Sequence, residues 1–154
     1  MRHVRGSPMP EKVTSLPEQV KGVLTEDAML GGKIRLQQPK EGFRAAIDTV
    51  FLAAAVPAKA GQCVLEAGTG SGAAALCLAH RVEGVKITGI DVNPRMVLLA
   101  DANIQLNREA ETIRVAVGDV AGRLPEDFDA AFDHVMMNPP YLPDTFNHVS
   151  PNPD

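Results

Sequence analysis

Eight consecutive residues, Glu66-Ala67-Gly68-Thr69-Gly70-Ser71-Gly72-Ala73, constrain this chain more than any others. They separate the apolar run Cys63-Val64-Leu65 from a small-residue helical stretch over 73–81. Glycines where a strand ends and a helix begins permit a tight turn and bring backbone N–H groups within contact distance of a ligand at the helix start. The pattern then repeats. Short apolar strands are expected over 63–67, 85–92, 112–118 and 130–137, the third β-branched at Thr112, Ile113, Val115 and Val117. Between them Asn93 caps a helix with Pro94 at its first position, and Met96, Leu99, Ala100, Asn103 and Leu106 mark its course. Alternating strand-helix units of this kind predict an α/β fold: a parallel sheet with right-handed crossovers and helices on both faces.

Upstream the signals are weaker. Residues 1–23, with Pro8, Pro10 and Pro17 among polar residues, read as a flexible N-terminal arm, leaving 24–154 as the folded domain. Lys33-Ile34-Arg35-Leu36-Gln37-Gln38 alternates between Gly31-Gly32 and Pro39, as a short edge strand or hairpin arm would. Asp48 is placed to cap a helix carrying Ile47, Val50, Phe51, Ala54 and Ala55 and ending before Pro57. The 154 residues, 45% hydrophobic and 22% charged, suit one globular domain. No apolar run is long enough to span a membrane and Met1 to Pro8 lacks an apolar signal segment, so a cytoplasmic protein is expected. Cys63 and Cys77 lie in apolar surroundings and the four histidines are scattered, which argues for core thiols and against a metal centre. The net charge of −4 hides an asymmetry: residues 1–44 hold eight Lys/Arg against five Asp/Glu, residues 45–154 seven against fourteen. Arg35, Lys40 and Arg44 in the basic part are positioned to meet phosphates.

Asp91 ends the second strand about 20 residues beyond the turn, where a carboxylate can accept from both ribose hydroxyls of a nucleoside. Gly68, Gly70 and Ala73 also fit the nicotinamide-type G-x-G-x-x-A spacing, so these residues alone leave a dinucleotide open beside S-adenosyl-L-methionine. Glu66 tilts the choice, because a carboxylate before the first glycine welcomes a cationic amino group and repels a pyrophosphate. Asp119, after the third strand, is placed to accept from an adenine amino group.

Asn138-Pro139-Pro140-Tyr141 follows the fourth strand at the same sheet edge as the turn, Asp91 and Asp119, the crevice expected of an open α/β site. An exocyclic amino nitrogen is a poor nucleophile while its lone pair is delocalised into a ring. Hydrogen bonds from its two protons to the Asn138 side-chain oxygen and the Pro139 carbonyl would hold it in place and favour pyramidalisation toward a methyl donor. Pro140 continues a rigid segment without an N–H, and Tyr141 offers a face for stacking a base.

Taken together, Glu66, Gly68, Gly70, Gly72, Asp91, Asp119 and Asn138 to Tyr141 resemble the ordered motifs of class I S-adenosylmethionine-dependent methyltransferases acting on planar amino groups. Thr25 to Gly32, Gln37-Gln38-Pro39 and Gly42 to Asp48 resemble more particularly the bacterial group that methylates adenine N6 in a valine tRNA. The resemblance spans about residues 24–154 and implies a Rossmann-like sheet, S-adenosyl-L-methionine as cofactor and tRNA as nucleic-acid partner. It also implies that Phe43 to Asp48 lie over the cofactor, with Asp48 near its methionine part, a role that competes with the helix cap. Such domains carry seven strands in the order 3-2-1-4-5-7-6. This chain ends soon after Tyr141, so a sheet truncated after the fourth strand is expected: either a fragment of a longer enzyme or a naturally short form, the latter with weak or absent turnover. Alternative acceptors are a protein glutamine amide or an rRNA guanine amino group. Outside this chemistry stand a non-catalytic nucleotide-binding module and an NAD-binding oxidoreductase fragment.

Overall fold

The computed structural model describes residues 23–42, 44–122 and 131–139. Strands β3 (Cys63–Ala67), β4 (Lys86–Asp91), β5 (Ile113–Val117) and β6 (His134–Met137) form a parallel sheet in the order β5-β4-β3-β6. In chain order this is 3-2-1-4, the first part of the order expected above. Helices α2 (Ala73–Arg81) and α3 (Pro94–Leu106) supply the crossovers from β3 to β4 and from β4 to β5. The fourth strand is shorter than the expected 130–137: Ala131 to Asp133 lie outside it, and residues 123–130 lie outside the described set.

One face of the sheet, carrying Val64, Ile87, Ile113 and Met136, joins the core. Against it pack Leu76 and Leu78 of α2, Ile104 of α3, and Ala53 of α1 (Ile47–Ala55). Fully buried aliphatic side chains of this kind contribute about 1.5–3 kcal/mol each. On the second face Leu65 and Ile90 are buried, whereas Val135 and Met137 of β6 are exposed. Helix α2 is buried along its whole course from Ala73 to Ala79, which explains its small side chains. The guanidinium of Arg81, in its last turn, donates to the carbonyls of Ala53 and Val56 at the C-terminal end of α1 and so satisfies groups that the helix leaves open.

Strands β1 (Leu24–Met29) and β2 (Ile34–Pro39) form an antiparallel hairpin. Only the β2 half was legible as a strand, because β1 carries Glu26 and Asp27 and lacks clean alternation. The free edge of β2 is covered by two amides four residues apart, Asn103 in α3 and Asn107 at its C-cap. Asn107 accepts from Arg35 N at 2.9 Å and donates to Arg35 O at 2.7 Å; Asn103 does the same for Gln37 N at 2.7 Å and Gln37 O at 2.9 Å. Side chains thus stand in for a neighbouring strand, a covering that edge strands otherwise lack. The Asn103 amide, fully buried, donates in addition to Ser71 O at 2.9 Å and ties the hairpin to the glycine turn.

Asp27 is the hub of a latch at the open end of the hairpin. Its Oδ2 accepts from Gln38 at 3.0 Å and from Arg44 at 2.6 Å, while Gln38 Oε1 accepts from Ala45 N at 2.7 Å. This latch sets the entry to α1, and it corrects the reading of the basic residues: Arg44 pairs with Asp27, and Arg35 with Glu26 at 2.8 Å, so both guanidinium groups already face carboxylates. Asp48 is also not the helix cap. Helix α1 begins at Ile47 after an extended Ala46, and Asp48 lies inside the first turn, accepting from Thr49 N at 2.9 Å. Its negative charge there still suits the N-terminal end of the helix dipole. No helix among the described residues is long and apolar enough to cross a membrane. Cys63 and Cys77 are free; burial and the nearby Glu66 push the Cys77 thiol up to about 11, as expected of an unreactive core residue.

Candidate active site

The glycine turn joins β3 to α2 and folds back on β4: Gly68 N and Thr69 N both donate to Ile90 O, at 2.8 and 2.9 Å. Gly72 is the N-cap of α2 with φ of 80°, a conformation that disfavours a side chain, and a Cβ there would stand 3.3 Å from Ala100 Cβ. Opposite the turn, Gly89 in β4 makes room for Thr69: a Cβ at 89 would stand 2.7 Å from Thr69 Oγ1 and 2.9 Å from its Cβ. The isolated glycine within a strand was the available signal for such a close approach.

The Thr69 hydroxyl, held over Gly89, donates to Glu66 Oε2 at 2.7 Å. Glu66 is only 4% exposed, and desolvation pushes its pKa up to about 7, against the lowering effects of Thr69 and the Ala75 backbone; the charge of Asp91 adds a smaller upward push. A buried carboxylate with no cation beside it among its hydrogen-bond partners is a fit for a cationic group.

Asp91 reaches into the turn as well as facing outward. Its Oδ2 accepts from Gly70 N at 2.9 Å and its Oδ1 from Asn93 N at 2.9 Å, so it braces the turn and the entry to α3. Each oxygen keeps capacity for another donor such as a ribose hydroxyl. Asp119 stands two residues beyond β5, exposed, in a turn where its Oδ1 accepts from Ala121 N at 2.9 Å. It shares the sheet edge with Asp91, since Gly118 N donates to Asp91 O at 3.0 Å, but makes no hydrogen bond to the pocket residues among the described contacts.

Asn138 follows directly on β6, and its Nδ2 donates to Asp48 Oδ2 at 3.0 Å, 90 positions away in sequence. That bond is the chief reason why the Asp48 carboxyl lies below its ordinary range. Pro139 is exposed beside it; Pro140, Tyr141 and Phe43 lie outside the described residues. Asn138, Glu66, Thr69, Gly70, Ser71 and Thr49 line one pocket of about 30 Å³. Its polar lining brings the Glu66 carboxyl, the Thr69 hydroxyl and the Asn138 amide to one place. A larger hollow of about 360 Å³ lies toward the N-terminal ends of β3, β4 and β5, lined by Lys86, Glu111 and Arg114 among others, away from every motif singled out above.

Comparison with known proteins decides the lineage. The family described as "methyltransferase small domain" matches residues 44–149. The chain belongs to that family. The methyltransferase class and the S-adenosyl-L-methionine cofactor expected from the sequence stand with this match, which sets the oxidoreductase alternative aside. The chain is 30% identical over 136 residues to a tRNA1(Val) (adenine(37)-N6)-methyltransferase of Yersinia pseudotuberculosis, covering 84% of this chain and 52% of that protein. It is 34% identical over 79 residues to the release factor glutamine methyltransferase of Fusobacterium nucleatum, covering 51% of this chain and 22% of that protein. The chain thus spans about half the length of the first relative and about a fifth of the second. A solved structure of the [4+2]-cyclase SpnF superposes with a TM-score of 0.50 at 23% identity, covering 62% of this chain and 36% of that one, which supports the fold alone.

Proposed function

We propose that this domain serves methyl transfer from S-adenosyl-L-methionine to an exocyclic amino nitrogen, with adenine N6 of a tRNA as acceptor. The observation that carries the reading is Asn138 at the C-terminal end of β6, in the same pocket as the buried Glu66 carboxylate. When bound, the cofactor supplies an electrophilic methyl group on a sulfonium. Glu66 would hold its ammonium, Gly68, Gly70 and Gly72 would let the chain approach it, Asp91 would accept from the ribose and Asp119 from the adenine amino group. Asn138 Oδ1 and the Pro139 carbonyl would accept hydrogen bonds from the two N–H groups of the acceptor nitrogen and aim its lone pair. Tyr141, following Pro140, would stack the base. No strong base is required, because the proton becomes acidic only as the N–C bond forms and then leaves to water. Catalysis rests on position and on polar groups set in advance. RNA or a translation factor as acceptor would place the reaction in the cytoplasm.

The glutamine-amide acceptor is kept as a second reading, supported by the 34% identity to the release factor enzyme, since an amide NH₂ presents the same two donors as adenine N6. The test is incubation of the chain with labelled S-adenosyl-L-methionine and either unmodified tRNA or a glutamine-bearing release factor, followed by mass mapping of the product. Methylated adenine in tRNA supports the proposal; label confined to glutamine moves it to the second reading. Tight NAD binding with no response to S-adenosylhomocysteine in calorimetry would overturn both. Asn138→Ala is expected to lower transfer about 100-fold or more while leaving cofactor affinity nearly unchanged.

A further inference from the structure

Asn138 carries the acceptor chemistry, yet an asparagine side chain can present either its oxygen or its nitrogen to the same point with little change in shape. Something must choose between them. We propose that Asp48 is the positioning residue that makes this choice, an inference that rests on the amino-nitrogen reading above. A carboxylate can only accept, and Asp48 Oδ2 accepts a hydrogen bond from Asn138 Nδ2 at 3.0 Å. The amide nitrogen is thereby fixed toward α1, and Oδ1, the atom an acceptor amino group needs, is left turned away from Asp48. The reverse orientation would set Oδ1 against the carboxylate oxygen, two acceptors with no proton between them.

The placement of Asp48 is itself built. The Asp27–Arg44 pair and the Gln38–Ala45 bond fix the segment leading into α1, and Thr49, buried just after Asp48, keeps that first turn against the pocket. The hairpin therefore acts on the reacting end of the site through one carboxylate. The role differs from the cofactor contact that family resemblance implies for Asp48, and the two make opposite predictions about cofactor affinity.

The experiment compares Asp48→Ala, Asp48→Asn and Asp48→Glu in the full chain. Three quantities are read: the ¹⁵N–¹H signals of the Asn138 side-chain amide, identified by their loss in Asn138→Ser; the Kd for S-adenosylhomocysteine by calorimetry; and the single-turnover methylation rate on unmodified tRNA and on a glutamine-bearing release factor. Asp48→Ala should move the Asn138 amide protons upfield, leave the Kd within about threefold and slow transfer by about 10- to 100-fold. Asp48→Asn, which lets Asn138 adopt both orientations, should fall between Ala and the unaltered chain, and Asp48→Glu should restore part of the rate. An Asn138 signal indifferent to Asp48→Ala, or an unchanged rate, would overturn the positioning role. So would a Kd weakened as much as the rate, which would return Asp48 to the cofactor. If the unaltered chain methylates neither acceptor while the Asn138 signal still depends on Asp48, the amino-nitrogen reading itself falls and the hydrogen bond is structural only.

Discussion

Around the glycine turn every residue of α2 from Ala73 to Ala79 is buried and Gly89 leaves no space for a Cβ, whereas β6, which delivers Asn138, leaves Val135 65% and Met137 51% exposed. The two regions differ in what fixes their geometry. The glycine-turn side is set by close packing, in which a single methyl group has nowhere to go. Among the described residues, the β6 side is set by a ladder to β3, by Met136 in the core and, at Asn138, by the side-chain hydrogen bond to Asp48. Substitutions near the turn should therefore register first as lost stability, and substitutions at the end of β6 first as lost transfer.

The largest stability effect is expected from Asn103→Leu. A residue of similar size there would leave Gln37 N, Gln37 O and Ser71 O without their partner, costing about 3 kcal/mol or more in urea denaturation. A cost below 1 kcal/mol would mean that the hairpin is not held through this amide. Next stands the pH dependence due to Glu66. Its pKa, raised from 4.5 to about 7 in the folded chain, means that the folded state holds a proton the unfolded state has released. Its contribution to stability is full below about 4.5 and declines as pH rises through about 7, by roughly 3 kcal/mol at most. Glu66→Gln should flatten this decline, and affinity for a cationic ligand at the unaltered site should strengthen over the same rise in pH. Gly89→Ala is expected to cost about 2 kcal/mol, because Thr69 would have to leave its place over β4 and give up Glu66. The smallest effect is reserved for β6: Val135→Thr should change the free energy of unfolding by less than about 0.5 kcal/mol. Equal costs for Gly89→Ala and Val135→Thr would erase the contrast between the two regions.

The strands of the sheet and the boundaries of β3 and α2 were legible because that stretch obeys local rules: apolar strands, a glycine turn, a capped helix; the strand order came only with the family resemblance. Asn93-Pro94 likewise reads as a helix start, and Asn93 Oδ1 does accept from Arg95 N at 2.9 Å. What local pattern could not show was how polar side chains are spent over distance. Asp91 looks like a ligand contact in sequence and is also a brace for Gly70. Asn103 reads as one more mark along a helix, although it joins β2 to the turn. Asp48 has the composition of a cap, and only the approach of β6 to α1 reveals its partner. Arg35 and Arg44 look available for phosphates until the acids of β1 are placed opposite them. In each case the deciding contact joins residues that chain distance separates and the fold brings together.

The amide of Asn103 has a consequence in time as well as in space. Deamidation there would replace the donor NH₂ by an oxygen, and one chemical event would release Gln37 O and Ser71 O together. The hairpin and the glycine turn would then loosen in step, and Asn103→Asp, which installs the same oxygen, should show a joint rise in amide exchange along β2 and across Gly70 to Gly72.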